Sequence, residues 1–208
     1  MLVGLLAIKP HLAVLLPVAL VAAGYWRSFA IAAATLVLFL AGSVMVLGAS
    51  SMTAFVDHLA VSQGMADQGA VPWGWTPSVH MLALSMGASP LLAAVIQGLA
   101  ALAGAICVWR AWRRDVAPFE AKAAVLLAAS LLVSPYLFTY DFTWLAVAIG
   151  FLAILGIREG FRAGERDLLF AAWLAPLAFV PIYWLLGAQV GCAAPILLLV
   201  LAMRRASG

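Results

Sequence analysis

Long apolar runs alternate with short polar breaks along almost the whole chain. The runs lie at about 1–8, 12–24, 28–48, 90–112, 119–134, 142–157, 168–186 and 190–203. None of them alternates at every second residue, as a membrane strand must, so helices are the expected spanning form. A helix needs about 20 apolar residues to cross the hydrocarbon layer. Several runs are shorter, which predicts tilt or local thinning of the bilayer. The last two runs are parted at Gly187 to Gln189, and Pro176, Pro181 and Pro195 predict kinks or breaks within them. The pattern predicts an all-α, polytopic helical membrane protein, with about seven transmembrane helices plus short interfacial helices. Residues 1–208 read as a single transmembrane domain.

Residues 49–89 are the one long interruption and read as an outer interfacial segment. Within it Met52, Phe55, Val56 and Leu59 recur at helical spacing, while Asp57 and His58 fall off that stripe. The spacing predicts an amphipathic helix lying on the membrane surface. A second short helix is expected from Ser78 to Met86, after the Pro72–Trp73–Gly74–Trp75–Thr76–Pro77 turn, re-entrant or interfacial because it is too short to span. No tandem repeat or low-complexity tract interrupts the chain.

The breaks sort by charge. Arg27, then Arg110, Arg113, Arg114 and Lys122, then Arg158, Arg162 and Arg166, then Arg204 and Arg205 occupy one alternating set of loops. Loops rich in Lys and Arg are cytoplasmic, so the C-terminus is expected inside. The other set holds His11, Asp57, His58, Asp67, His80 and Asp141, together with Lys9, the one basic residue that breaks the rule. Composition agrees with a membrane protein: 67% of residues are hydrophobic and 9% charged, against about 25% charged in an ordinary soluble domain. The net charge of +3 arises almost wholly from the inner arginines and gives no reason to expect nucleic acid.

Little other chemistry is written in the chain. Cys107 and Cys192 are expected near opposite membrane faces, too far apart for a disulfide, and read as small packing residues. There is no metal-ligand spacing of Cys and His and no phosphate-cradling glycine loop, so neither metal nor cofactor is expected. Met1 opens directly into an apolar run before Lys9 and Pro10, without the positive segment of a secretory signal. That start predicts a chain that begins partway through a larger membrane protein.

Three stretches carry a resemblance. They are Leu5–Leu6–Ala7–Ile8–Lys9–Pro10–His11–Leu12, followed by Pro17 and Gly24–Tyr25–Trp26–Arg27; Trp75–Thr76–Pro77–Ser78–Val79, followed by Met86–Gly87–Ala88; and Ser134–Pro135–Tyr136–Leu137–Phe138–Thr139–Tyr140–Asp141. In this order and at these separations the chain resembles the C-terminal half of glycosyltransferase family 87, whose members include polyprenyl-phosphate-mannose-dependent α-mannosyltransferases. Its Lys-Pro-His departs from the usual Lys-Pro-Gln. The resemblance implies an integral-membrane glycosyltransferase fold in a bacterial inner (plasma) membrane, with the active site on the non-cytoplasmic face. It implies transfer of a hexosyl or mannosyl group from a polyprenyl-phosphate sugar donor to a lipid or glycan acceptor. The family's catalytic acidic residue lies in the first outer loop of the N-terminal half, which this sequence does not contain, so the chain alone is expected to be inactive.

Candidate roles follow from the chemistry of such a transfer. Negative charge collects on the departing phosphate, and fixed donors beside it lower the barrier. Lys9 and His11, at the outer interface, are the candidates for binding the donor phosphate; Lys9 could instead merely snorkel toward lipid headgroups, and His11 could be a hydrogen-bonded helix-end residue. Asp141, Tyr136, Tyr140, Asp57 and His58 are the candidates for sugar or acceptor binding. Each has a structural alternative: Asp141 as N-cap of a helix starting at Phe142, the tyrosines in the interfacial aromatic belt with Phe138 and Trp144, and Asp57 and His58 on a solvated face. His80, Trp73 and Trp75 read as interface anchors or as the lining of a lipid entrance. The rival to a transferase is a non-catalytic membrane protein, either a transporter or flippase-like subunit or a degenerate lipid-binding paralogue. Transporters place ionisable groups near the bilayer midplane and show inverted repeats, whereas here those groups sit at helix ends.

Overall fold

A computed structural model describes residues 9–208, without the side chains of residues 60, 62, 63 and 66. The apolar run 1–8 lies outside the described residues. Ten helices follow in order: α1 (Pro10–Ala13), α2 (Leu16–Ala22), α3 (Trp26–Leu47), α4 (Ser50–Asp67), α5 (Val79–Ser85), α6 (Pro90–Trp112), α7 (Phe119–Val133), α8 (Thr143–Glu159), α9 (Glu165–Leu186) and α10 (Ala193–Ala206). Two 3-10 turns, Trp73–Trp75 and Thr139–Phe142, precede α5 and α8. No strand occurs among the described residues.

Among the described residues, four segments are long and apolar enough to cross a membrane: α3, α6, α9 and the stretch Thr139–Glu159 that contains α8. The short helix α7 is the hub, packed by α6, α8, α10 and α1. Its 15 residues rise about 22 Å. Ten of them are buried, including Ala121, Ala124, Ala128 and Ala129, so α7 meets mainly protein. Small side chains let the helix backbones approach. At the α6–α7 crossing, a Cβ added to Gly104 would lie 3.4 Å from that of Ala129, already tight. By contrast α3 has no buried residue and touches mainly its sequence neighbours α2 and α4. Its apolar surface is that of a helix facing lipid.

The proline expectation is corrected in part. Pro176 and Pro181 lie inside a helix that runs unbroken from Glu165 to Leu186, and it ends where expected, at Gly187 with φ +71°. Left-handed backbone at a helix end suits glycine. Pro195 sits in the first turn of α10, where a missing N–H breaks no helical bond. The short helix expected from Ser78 to Met86 appears as α5, capped by Ser78, whose Oγ accepts the Met81 amide at 3.1 Å.

Among the described residues, the ion pairs form within each predicted set of loops and not between the two sets. The arginine-bearing end is laced by ion pairs: Arg158 Nη1 to Glu120 Oε1 at 2.7 Å, and Arg205 Nε to Glu165 Oε1 at 2.7 Å. Arg205 and Glu165 are both buried, and Arg205 Nη2 also donates to Gly160 O at 2.7 Å. These arginines fasten α7, α8, α9 and α10 together as well as sorting the topology, a role the loop pattern did not reveal.

The histidine-bearing end is held by two buried glutamines. Gln97 of α6 donates through Nε2 to Leu132 O at 2.7 Å and to Val133 O at 3.1 Å, and its Oε1 accepts the His80 amide at 3.0 Å. It thereby satisfies carbonyls left open at the C-terminus of α7. Gln189 donates to Trp73 O at 2.8 Å and accepts the Gly191 amide at 2.8 Å. Beside it, a Cβ on Gly74 would meet the Tyr183 ring at 2.6 Å, so glycine lets the Trp73–Trp75 turn lie against α9.

Candidate active site

Two polar centres lie at the histidine-bearing end. The first joins the start of the described chain to the turn before α8. Lys9 Nζ donates to Asp141 Oδ1 at 2.7 Å across 132 residues of sequence. The same ammonium lies 4.4 Å from the centroid of the Tyr140 ring, which stacks on Phe138 at 5.4 Å. His11 Nε2 stands 3.8 Å from Asp141 Oδ2 and has no hydrogen-bond partner among the described residues. Short local structure sets these positions: Pro10 at the first residue of α1 starts the helix straight after Lys9, which places His11 within its first turn.

Asp141 corrects the N-cap expectation. It is the third residue of the Thr139–Phe142 turn, and its Oδ2 reaches back to accept the Phe138 amide at 3.1 Å, while α8 begins two residues later at Thr143. Its side chain is 1% exposed against 45% for Lys9. The carboxylate is therefore a fixed internal anchor, and the ammonium projects from it toward solvent. Lys9 carries three N–H donors, so binding one carboxylate oxygen leaves others for an incoming oxyanion.

The second centre joins Tyr136, a sugar or acceptor candidate, to Asp67 and to His80, which reads from the sequence as an interface anchor or entrance lining. His80 is 3% exposed and buried in α5, not an anchor at the surface. Its Nε2 lies 2.8 Å from Asp67 Oδ1, at the end of α4. The Tyr136 hydroxyl reaches the same Asp67 oxygen at 3.5 Å, and the His80 and Tyr136 rings meet edge to face at 5.7 Å. Burial, reinforced by the Asp67 charge and hydrogen bond, pushes the Tyr136 phenol above its ordinary value of 10. Tyr136 and Tyr140 therefore belong to different centres, joined by one loop of residues 134–141.

The remaining candidates stay apart. Asp57 and His58 are exposed on α4 and are joined to neither centre by a hydrogen bond or ion pair among the described residues. Trp75 is exposed, Trp73 packs on the small cluster around Met81, and Trp144 packs against the main core and is no free belt residue. Cys107 and Cys192 are both free thiols, and burial raises the Cys192 thiol to about 11. Among the described residues no His, Cys, Asp or Glu group could hold a metal ion. A groove of about 560 Å³ lined by Ile149, Phe161, Arg166, Phe170 and Trp173 opens toward the arginine-bearing end, away from Lys9 and Asp141.

What this arrangement can do is bind unlike partners side by side. One centre presents N–H donors from Lys9, with the buried and unpartnered His11 Nε2 beside them; the other presents a carboxylate. A family model described as Glycosyltransferase family 87 matches residues 1–135. No curated protein and no solved structure matches the chain.

Proposed function

The chain belongs to glycosyltransferase family 87, a family of membrane glycosyltransferases, and from that premise we propose that it moves a hexosyl group, mannosyl by preference, from a polyprenyl-phosphate sugar to a lipid or glycan acceptor. The reaction takes place at the non-cytoplasmic face of a bacterial inner membrane, with the C-terminus in the cytoplasm. The observation that carries this reading is the convergence of Lys9, His11 and Asp141 at the helix ends opposite the arginines.

In this reading the donor phosphate lies against Lys9 and His11. The acceptor oxygen forms a bond to the anomeric carbon, the bond from that carbon to the phosphate oxygen breaks, and its electron pair stays with the phosphate. Charge on that oxygen grows as the bond breaks, so donors aimed at it act mainly in the transition state. Asp141 neutralises one charge of the centre, so phosphate recognition relies on N–H donors fixed in place more than on net charge. Tyr140 and Phe138 offer an aromatic face for the sugar, and Asp57 and His58 lie where an acceptor approaching over α4 would pass. The base that takes the acceptor proton is not assigned among these residues.

Incubation of membranes containing the protein together with the family's N-terminal half, which is expected to carry the catalytic acidic residue, with labelled polyprenyl-phosphate mannose, glucose and galactose tests the proposal. Label moving from the mannosyl donor to a lipid or glycan fraction is the expected result. Protein-dependent transfer from a nucleotide sugar, and from no polyprenyl-phosphate sugar, contradicts it. Donor binding without any transfer favours the lipid-binding, non-catalytic reading.

A further inference from the structure

The Asp67–His80–Tyr136 centre has a feature that the donor reading does not use. Asp67 Oδ1 is held by His80 Nε2 at 2.8 Å and by the Tyr136 hydroxyl at 3.5 Å, while Oδ2 has no protein donor among the described residues. The Asp67 side chain is 26% exposed and that of His80 is 4% exposed. One carboxylate oxygen is therefore pinned from within the protein and the other is left for a ligand.

The protonation of His80 decides what kind of ligand fits. Its Nδ1 is buried without a partner among the described residues. A protonated ring would leave an N–H donor orphaned there, a more costly fault than an unfilled acceptor. The tautomer carrying its proton on Nε2 gives that proton to Asp67 and leaves only a lone pair at Nδ1. Asp67 pairs with no Lys or Arg among the described residues, so the centre offers a carboxylate acceptor. A phosphate would be repelled; a neutral group rich in hydroxyls would be held.

We infer that Asp67 is a hydroxyl-binding residue for a carbohydrate ring, with Oδ2 accepting a ring hydroxyl, and that His80 and Tyr136 are positioning residues that orient it. This inference rests on the glycosyl-transfer reading for its choice of ligand. The two centres then divide the substrates, phosphate at Lys9 and His11 and the hydroxyl-bearing ring at Asp67. Tyr136 and Tyr140 sit four residues apart on the connecting loop, so their Cα atoms are at most about 14 Å apart.

Saturation-transfer NMR on the detergent-solubilised protein, with the methyl α-hexopyranosides of mannose, glucose and galactose as probes, tests the inference without requiring turnover. The wild-type protein is expected to transfer saturation to at least one hexoside, with Asp67→Asn reducing the effect at least threefold and Arg158→Ala, at the opposite end, leaving it unchanged. If Asp67→Asn loses its helical circular dichroism, Tyr136→Phe decides, with a two- to fivefold weakening expected. Absence of saturation transfer to every hexoside overturns the inference, as does full binding by a folded Asp67→Asn or by Tyr136→Phe. Failure of polyprenyl-phosphate transfer in membranes would instead strike the proposed reaction, leaving the hexoside result to stand by itself.

Discussion

Lys9 donates to Asp141 Oδ1 at 2.7 Å while the other oxygen of that carboxylate accepts the Phe138 amide at 3.1 Å, so a residue before the first helix is tied to the turn that launches α8. The half-exposed Lys9 limits what this pair adds to stability. Exposed or half-exposed pairs contribute on the order of 1 kcal/mol or less. A double-mutant cycle with Lys9→Ala and Asp141→Asn, read by thermal melting in detergent, is expected to show coupling of about that size. A coupling of several kcal/mol would show a pair far less solvated than its exposure indicates.

Asp141→Asn itself separates anchoring from charge. Asparagine can still accept the Phe138 amide, so the turn is expected to hold and the melting temperature to move by only a few degrees. If the Asp141 charge orients Lys9 or a sugar hydroxyl in the site, a charge-assisted contact to substrate weakened by about 1.5–3 kcal/mol lowers turnover by roughly one to two decades. Melting and transfer measured on one preparation distinguish these effects. Turnover within twofold of the parent would remove Asp141 from the site.

At the opposite end, the buried Arg205–Glu165 pair predicts a purely structural effect. Removing one partner leaves an uncompensated buried charge, at a cost of about 3–5 kcal/mol. Glu165→Gln is expected to lower the melting temperature strongly, and a paired Glu165→Leu with Arg205→Met replacement to recover much of the loss. A single substitution that leaves melting unchanged would show that water reaches the pair.

The raised pKa of Tyr136 gives a pH signature. Because its phenol holds its proton more firmly in the fold than in the unfolded chain, its contribution to stability is complete below pH 10 and is lost as pH rises toward and through the folded value. Ultraviolet titration is expected to show one of the four tyrosines ionising after the others, and Tyr136→Phe to abolish that late component. A late component that survives the substitution would assign it elsewhere.

The fold was largely legible because length and apolar content are local properties. The runs at 28–48, 90–112 and 168–186 became α3, α6 and α9 with small changes of boundary. The interior position of α7 was not legible: an alanine-rich apolar segment reads the same whether it faces lipid or other helices. Lys9 and Asp141 were each singled out, but nothing in a local pattern joins residues 132 positions apart. Asp141 looked like an N-cap because the α8 pattern starts beside it, whereas the 3-10 turn that carries it has no periodic signal. His80 was read as an anchor because its burial arises from α5 packing beneath Gln97 and Tyr136, a tertiary fact. Asp57 and His58 lie off the helical stripe of α4 as expected and are exposed, but Met52, Phe55, Val56 and Leu59 of that stripe are exposed as well.

Orientation is open to chemical labelling. Cys192 is buried and its thiol raised to about 11, so it is expected to react poorly with maleimide. Cysteine introduced at the exposed Gln68 is expected to label in intact cells, and cysteine at Ser207 only after permeabilisation. The reverse pattern would invert the topology and place Lys9 in the cytoplasm.

The most direct measurement is the rate of transfer from a polyprenyl-phosphate sugar by Lys9→Ala and Lys9→Arg proteins at equal expression in membranes, with the family's N-terminal half supplied. A donor needed most as the phosphate departs predicts a fall in kcat of about 10- to 100-fold for Lys9→Ala, a smaller change in donor KM, and partial recovery in Lys9→Arg. An unchanged kcat for Lys9→Ala would contradict the account and reduce Lys9 to the partner of Asp141.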